Sequence, residues 1–203
     1  AQFLLWEYAT VVASRLIGIN PFDQPDVESA KIAARALLSD GIGAQSAPAF
    51  TDDGVAVRAK SLDLSGCETV GSALQRLLEQ LDPEVGYVSV HAYLDRLELP
   101  ELAQLRDALA AHTGRPVTFG WGPRFLHSTG QYHKGGPRQG VYLQLVSSGE
   151  ADLTIPGRDF TFGQLIASQL AGDAAVLAEL GRPVLTISLS DPASAFAALS
   201  ALL

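Results

Sequence analysis

From residue 55 onward the chain switches repeatedly between two hydrophobic periods, and this alternation limits its fold more than any other feature. Runs with strand character, "VAVRA" (55–59), "GYVSVHAYL" (86–94), "RPVTFGWG" (115–122), "GVYLQLV" (140–146) and "PVLTISL" (183–189), are separated by helical runs over 68–81, 100–114 and 161–181, and a last helical run closes the chain over 192–203. Strands joined through helices form right-handed crossovers. The pattern therefore predicts an α/β domain with a largely parallel sheet flanked by helices on both faces, a three-layer arrangement. In such sheets ligands gather beyond the carboxyl ends of the strands.

A helical segment precedes this block. Residues 2–17 read as a helix whose apolar groups Phe3, Leu4, Trp6, Val11 and Val12 have no N-cap before them. "DVESAKIAARALLSDG" reads as a second helix, with Asp26 as its cap, Glu28 in its first turn and Gly41 beyond its end. "GIGAQSAPAFTDDG" (41–54) lacks periodicity and reads as a linker. The expected organisation is a helical segment over 1–40, the linker 41–54 and an α/β domain over 55–203. With no methionine in the sequence and a start inside a helical pattern, the chain is expected to be the C-terminal portion of something longer.

Charge and cysteine content exclude several functions. With 22 acidic against 14 basic residues the net charge is −8, which repels a phosphate backbone, and the cations are scattered singly, so nucleic acid is not an expected partner. No apolar run approaches the ~20 residues of a bilayer span, so no membrane partner is expected. The single Cys67 excludes an internal disulfide and fits a reducing, cytoplasmic setting; it reads as a small apolar residue near a helix start.

The chemistry concentrates in two stretches. "FLHSTGQYHKGG" (125–136) holds His127, Ser128, Gln131, His133 and Lys134, and reads as a glycine-bearing loop after the strand 115–122. Gly130, Gly135 and Gly136 would allow positive φ and close approach to a ligand, and histidine supplies proton transfer near neutral pH. A metal is not expected, since His127 and His133 stand six apart with no acid between them. Ser128 lacks the elbow of a serine hydrolase. A site for a polyhydroxylated or phosphorylated small molecule suits these donors, and a turn bonded to its own backbone is the competing reading. In "GINPFDQPDVESAK" (18–31), Asn20, Asp23 and Gln24 lie in a loop and Lys31 in the following helix.

"GINPFDQPDVESAK" resembles the C-terminal signature of the glucose-6-phosphate isomerase family, carried here by Gly18, Ile19, Asn20, Phe22, Asp23, Gln24, Val27, Glu28 and Lys31. Asp26 stands where the family has glycine, and Pro25 where it has tryptophan. The stretches "GWGPRFLHSTGQYHKGGPRQGVYLQL" and "IPGRDFTFGQLIASQLAGDAAVL" resemble the actinobacterial and cyanobacterial type of this isomerase, which is sometimes fused behind a transaldolase. "HSTGQYH" echoes the family's histidine motif, with one residue fewer between its histidines and with the histidine motif after the lysine motif instead of before it.

The resemblance implies a sugar-isomerase-like three-layer fold and interconversion of glucose 6-phosphate and fructose 6-phosphate, by ring opening and enediol proton transfer with no metal or cofactor. It implies Lys31 and His127 as catalytic residues, and Asn20, Gln24, Ser128, Gln131, His133 and Lys134 as substrate-binding residues. The general base is expected upstream of Ala1, which would leave this portion inactive alone. A homo-oligomer and contacts with the upstream chain are expected. The alternative is a non-catalytic sugar-phosphate-binding or assembly module of a transaldolase fusion.

Overall fold

In the computed structural model, residues 1–23, 25–39, 46–147 and 152–203 are described. In chain order they form α1 (Gln2–Ile17), α2 (Pro25–Ser39), β1 (Phe50–Asp52), β2 (Val55–Lys60), α3 (Val70–Leu78), β3 (Tyr87–Tyr93), α4 (Leu105–Thr113), β4 (Val117–Trp121), α5 (Ser128–Gly135), β5 (Gly140–Ser147), α6 (Phe162–Glu179), β6 (Val184–Leu189) and α7 (Ala195–Ser200). Short 3₁₀ turns precede α4, α5 and α7. Capping boxes set two of the helix starts. Thr69 accepts from the Ser72 N–H and Thr161 from the Gln164 N–H, while the Ser72 and Gln164 side chains bond back to the cap backbone.

The sheet runs β1-β2-β6-β5-β3-β4. It is parallel across β4, β3, β5 and β6, joined by helical crossovers, but β2 is antiparallel to β6 and β1 to β2. The expectation of a largely parallel sheet therefore gives way to a mixed one. For the β1–β2 pair the cause is local: Asp53 and Gly54 both take positive φ, 47° and 82°, the backbone of a two-residue hairpin turn. This Asp-Gly turn folds the second part of the 41–54 segment back as β1, while 41–45 lie outside the described residues.

The two faces of the sheet differ in chemistry. Val88, Val90, Val141, Leu143, Leu145, Leu185 and Ile187 point to one side and pack with Leu74 and Leu77 of α3, Leu105 and Leu109 of α4, and Leu199 of α7. That layer is the main hydrophobic core. The residues between them, Ser89, His91, Gln144, Thr186 and Ser188, are equally buried yet polar, and face α5 and α6. Pairing places Gly120, His91, Gln144, Thr186 and Arg58 in one transverse row across five strands.

Helix α2 packs outside α6, where a Cβ on Gly172 would lie 2.7 Å from the Ala34 nitrogen; glycine allows this close approach. Helix α1 carries the apolar groups named above largely on the outside. It buries only Ser14, and leaves Phe3 87%, Trp6 70% and Leu16 82% exposed. No helix among the described residues is long and apolar enough to cross a membrane.

Candidate functional site

The stretch 125–136, expected as a loop, is a 3₁₀ turn over Arg124–Leu126 followed by the helix α5. Its glycines and short polar residues give it little intrinsic helix propensity; tertiary anchors hold it instead. Gly130, Gly135 and Gly136 are not among the positive-φ residues, and serve close packing. A Cβ on Gly130 would run into the Phe125 carbonyl oxygen, and one on Gly135 would lie 2.5 Å from Asp26 Oδ2.

The first anchor joins the two chemically dense stretches. Gln131 Oε1 accepts from the Asp26 N–H at 3.1 Å, and its Nε2 donates to Asp26 Oδ2 at 2.6 Å. Asp26, expected as the cap of α2, lies inside the first turn after Pro25, with its carboxylate bonded to α5. Gln131 therefore acts as a clasp between helices 105 residues apart in sequence.

The second anchor lies beneath α5. Lys134 and His133, expected to bind substrate, are only 2% and 3% exposed, because they fall on the helix face turned to the polar side of the sheet. Lys134 Nζ donates to Asp173 Oδ1 at 2.5 Å and to the Phe125 carbonyl at 3.2 Å. Asp173 Oδ2 lies 3.3 Å from His91 Nδ1, and Gln144 Nε2 reaches it at 3.5 Å. His91 Nε2 meets Ser89 Oγ at 3.0 Å, stacks on Phe125 at 3.6 Å, and shares Ser89 with His133 Nε2 at 3.4 Å. Asp-His-Ser in this order has the connectivity of a hydrolase triad, but all three side chains are 0% exposed, so no substrate reaches the serine. The cluster is an interior brace.

Burial governs its protonation. Desolvation depresses both histidines, His133 to about 3 and His91 in the same direction against the pull of Asp173. Burial would raise the Asp173 carboxyl, but hydrogen bonding by His91 and the charge of Lys134 leave it below its ordinary value. Tyr142, whose hydroxyl donates to the His133 carbonyl at 3.0 Å, is held in the phenol form by desolvation.

The remaining candidates are on the surface. His127 is exposed at the N-cap of α5, followed by exposed Ser128, and no side chain caps that turn. Lys31 lies 3.6 Å from Glu28, which also pairs with Arg35 at 3.2 Å. Ala30 and Leu126, the neighbours of Lys31 and His127, share one buried cluster with Val176. Lys31, Arg35 and Leu126 line a cleft of about 190 Å³ closed by Leu165 and Gln169 of α6. Asn20 accepts from the Phe22 N–H through Oδ1 at 3.1 Å, a turn-forming bond, and does not line the cleft. Gln24 lies outside the described residues.

Sequence reasoning missed His91, Asp173 and Gln144. Their trace was present in β3, where Tyr87, Ser89, His91 and Tyr93 alternate with apolar residues, and in β5, where Tyr142 and Gln144 do the same. Among the described residues no group of three or more His, Cys, Asp or Glu is placed to hold a metal ion.

No protein-family model matches the chain, and no curated protein matches it. Among solved structures it is similar to a hypothetical protein from Thermus thermophilus, with a TM-score of 0.53 and 20% identity over 66% of this chain and 37% of that one. The likeness concerns the α/β fold alone, and the chain spans little more than a third of that protein's length.

Proposed function

We propose that this chain contributes one wall of the active site of an aldose-ketose isomerase of the glucose-6-phosphate isomerase kind, acting on glucose 6-phosphate and fructose 6-phosphate. The observation that supports this best is the Asp26–Gln131 clasp. It brings together the two stretches in which the family resemblance resides, although they lie far apart in sequence. On this reading Lys31 supplies a cationic donor to a ring or carbonyl oxygen. His127 passes a proton to or from a sugar hydroxyl during ring opening, and Ser128 with the uncapped first turn of α5 offers donors to further oxygens. Gln131 and Lys134 position α5 without touching the sugar.

The enediol step needs a base, which this reading assigns to the protein upstream of Ala1 or to a second subunit in the cytoplasm. No cofactor or metal takes part. The test is conversion of fructose 6-phosphate to glucose 6-phosphate by the full-length protein beside Lys31→Ala and His127→Ala. Loss of at least a hundredfold in kcat/KM in both variants is expected. An active parent with an unimpaired His127→Ala would remove the histidine from the reaction.

A second reading is favoured by α1, whose exposed Phe3, Trp6 and Leu16 suit burial in an assembly. On that reading the chain is a sugar-phosphate-binding or assembly module of a larger enzyme. Retained affinity for the sugar phosphate, with turnover indifferent to both substitutions, would select it.

A further inference from the structure

The contact of α2 with α6 leaves a cleft on either side. One is the Lys31 cleft; the other lies between α6 and β2, with a volume of about 220 Å³, and contains Arg58, Lys60 and Thr186. Ala171, Ala174 and Ala175 form its helical wall. Their short side chains leave space several times the ~30 Å³ that one water occupies in the liquid.

Arg35, Arg76 and Arg106 each face a carboxylate, and Arg115 and Arg182 are occupied by backbone carbonyls. Arg58 donates from Nε to the Ser46 carbonyl at 2.6 Å and from Nη1 to Ser188 Oγ at 2.9 Å, both uncharged acceptors. No carboxylate among the described residues pairs with Arg58 or with Lys60. Burial pulls the Arg58 pKa below its ordinary value, with no compensating anion. In a chain with 22 acidic residues against 14 basic ones, the half-buried Arg58 and the exposed Lys60 beside it are left without a carboxylate partner among the described residues.

The geometry also limits the anion. Arg58 and Lys60 are two residues apart on β2, so their side chains leave the same face of the sheet about 6.6 Å apart at the backbone. A carboxylate is satisfied by one guanidinium fork, whereas two converging cations suit the double charge of a phosphoryl group. The floor beside them is polar at buried Thr186, which pairs with Arg58 on one side and Gln144 on the other in the transverse row that also holds His91.

We infer that Arg58 and Lys60 form a binding site for a phosphomonoester-type dianion in the cleft between β2 and α6, separate from the Lys31–His127 surface. Its occupant is a phosphate carried on a small molecule or inorganic phosphate itself.

The experiment is a titration of the full-length protein carrying Lys31→Gln, which silences the proposed catalytic surface. Inorganic phosphate and glycerol phosphate are the probes, at constant ionic strength made up with chloride, and the melting temperature is followed. A saturable rise is expected, weakened at least tenfold in midpoint by an added Lys60→Gln and abolished by Arg58→Gln with Lys60→Gln. A tighter midpoint for glycerol phosphate identifies an organic phosphate as the ligand, and equal midpoints identify the free ion. No rise, a rise without saturation, or a rise unchanged by Lys60→Gln overturns the site. The Lys60→Gln arm decides the question even if Arg58→Gln fails to fold. Since turnover of fructose 6-phosphate is measured separately, the phosphate site and the isomerase reading can fail independently.

Discussion

Lys134 of α5 and Asp173 of α6 meet at 2.5 Å with both side chains wholly buried, and this pair fixes the helix that carries His127 onto the sheet. Neither charge can be removed alone without stranding the other in the interior. Lys134→Met and Asp173→Leu are each expected to cost about 3–5 kcal/mol, while the double substitution costs less than either because no buried charge remains. Urea unfolding followed by tryptophan fluorescence measures all three. A double variant as unstable as the sum of the singles would show that the pair does not act as a unit.

The buried histidines set the acid limit of the fold. His133 titrates near 3 in the folded chain because it is desolvated, against about 6.5 when unfolded. Between these values the unfolded state binds the extra proton, so stability is full above pH 6.5 and falls as the pH drops toward 3. For His133 alone the loss between pH 7 and pH 4 is on the order of 3 kcal/mol. His91, shifted in the same direction, adds to it. Asp173, held below its ordinary value, loses its contribution as the pH falls further through its folded pKa. The urea midpoint should therefore decline from about pH 6.5 downward, and His133→Phe should make that decline shallower. An unchanged slope would mean that His133 is not the group responsible.

Much of the architecture was legible in the sequence, because period and punctuation determine elements locally. The strand runs 86–94, 140–146 and 183–189 appear as β3, β5 and β6 within a residue or two of their expected limits. The β1–β2 hairpin was missed because it turns on a single Asp53-Gly54 pair inside a stretch with no periodicity, and the antiparallel pairing of β2 with β6 is a long-range contact with no local signal. For the candidate residues, the sequence showed chemistry but not placement. His127 and Lys31 lie on the surface as a binding role requires, but Lys134 and His133 read as ligand contacts because a sequence shows which side chains are polar and not which way a helix turns them. Asp173, inside the apolar run of α6, gains a meaning only when Lys134 and His91 are placed opposite it.

Gly130 is the position where the site tolerates substitution least. An added Cβ would collide with the Phe125 carbonyl oxygen, which also accepts from Lys134. Gly130→Ala must therefore shift α5 or break that bond, even though alanine is the better helix former. Overpacking of this kind costs about 1–3 kcal/mol, or several degrees in melting temperature for a domain of this size. A neutral or stabilising Gly130→Ala in a thermal melt would show that α5 is not seated as described.

The clasp between Gln131 and Asp26 can be tested by exchanging charge without changing shape. Gln131→Glu keeps the acceptor for the Asp26 N–H but replaces the Nε2 donor with an oxygen facing Asp26 Oδ2, so two carboxylates meet where one hydrogen bond stood. The melting temperature at pH 7 should fall by a few degrees. Adding Asp26→Asn restores a donor opposite the new carboxylate, and should recover most of the loss. If the isomerase reading holds, kcat/KM should follow the same order, with Gln131→Glu impaired and the double variant recovered, because Gln131 acts by holding the His127 helix against the Lys31 helix. Recovery of stability without recovery of turnover would show that the clasp holds the fold together but does not align the two stretches for catalysis.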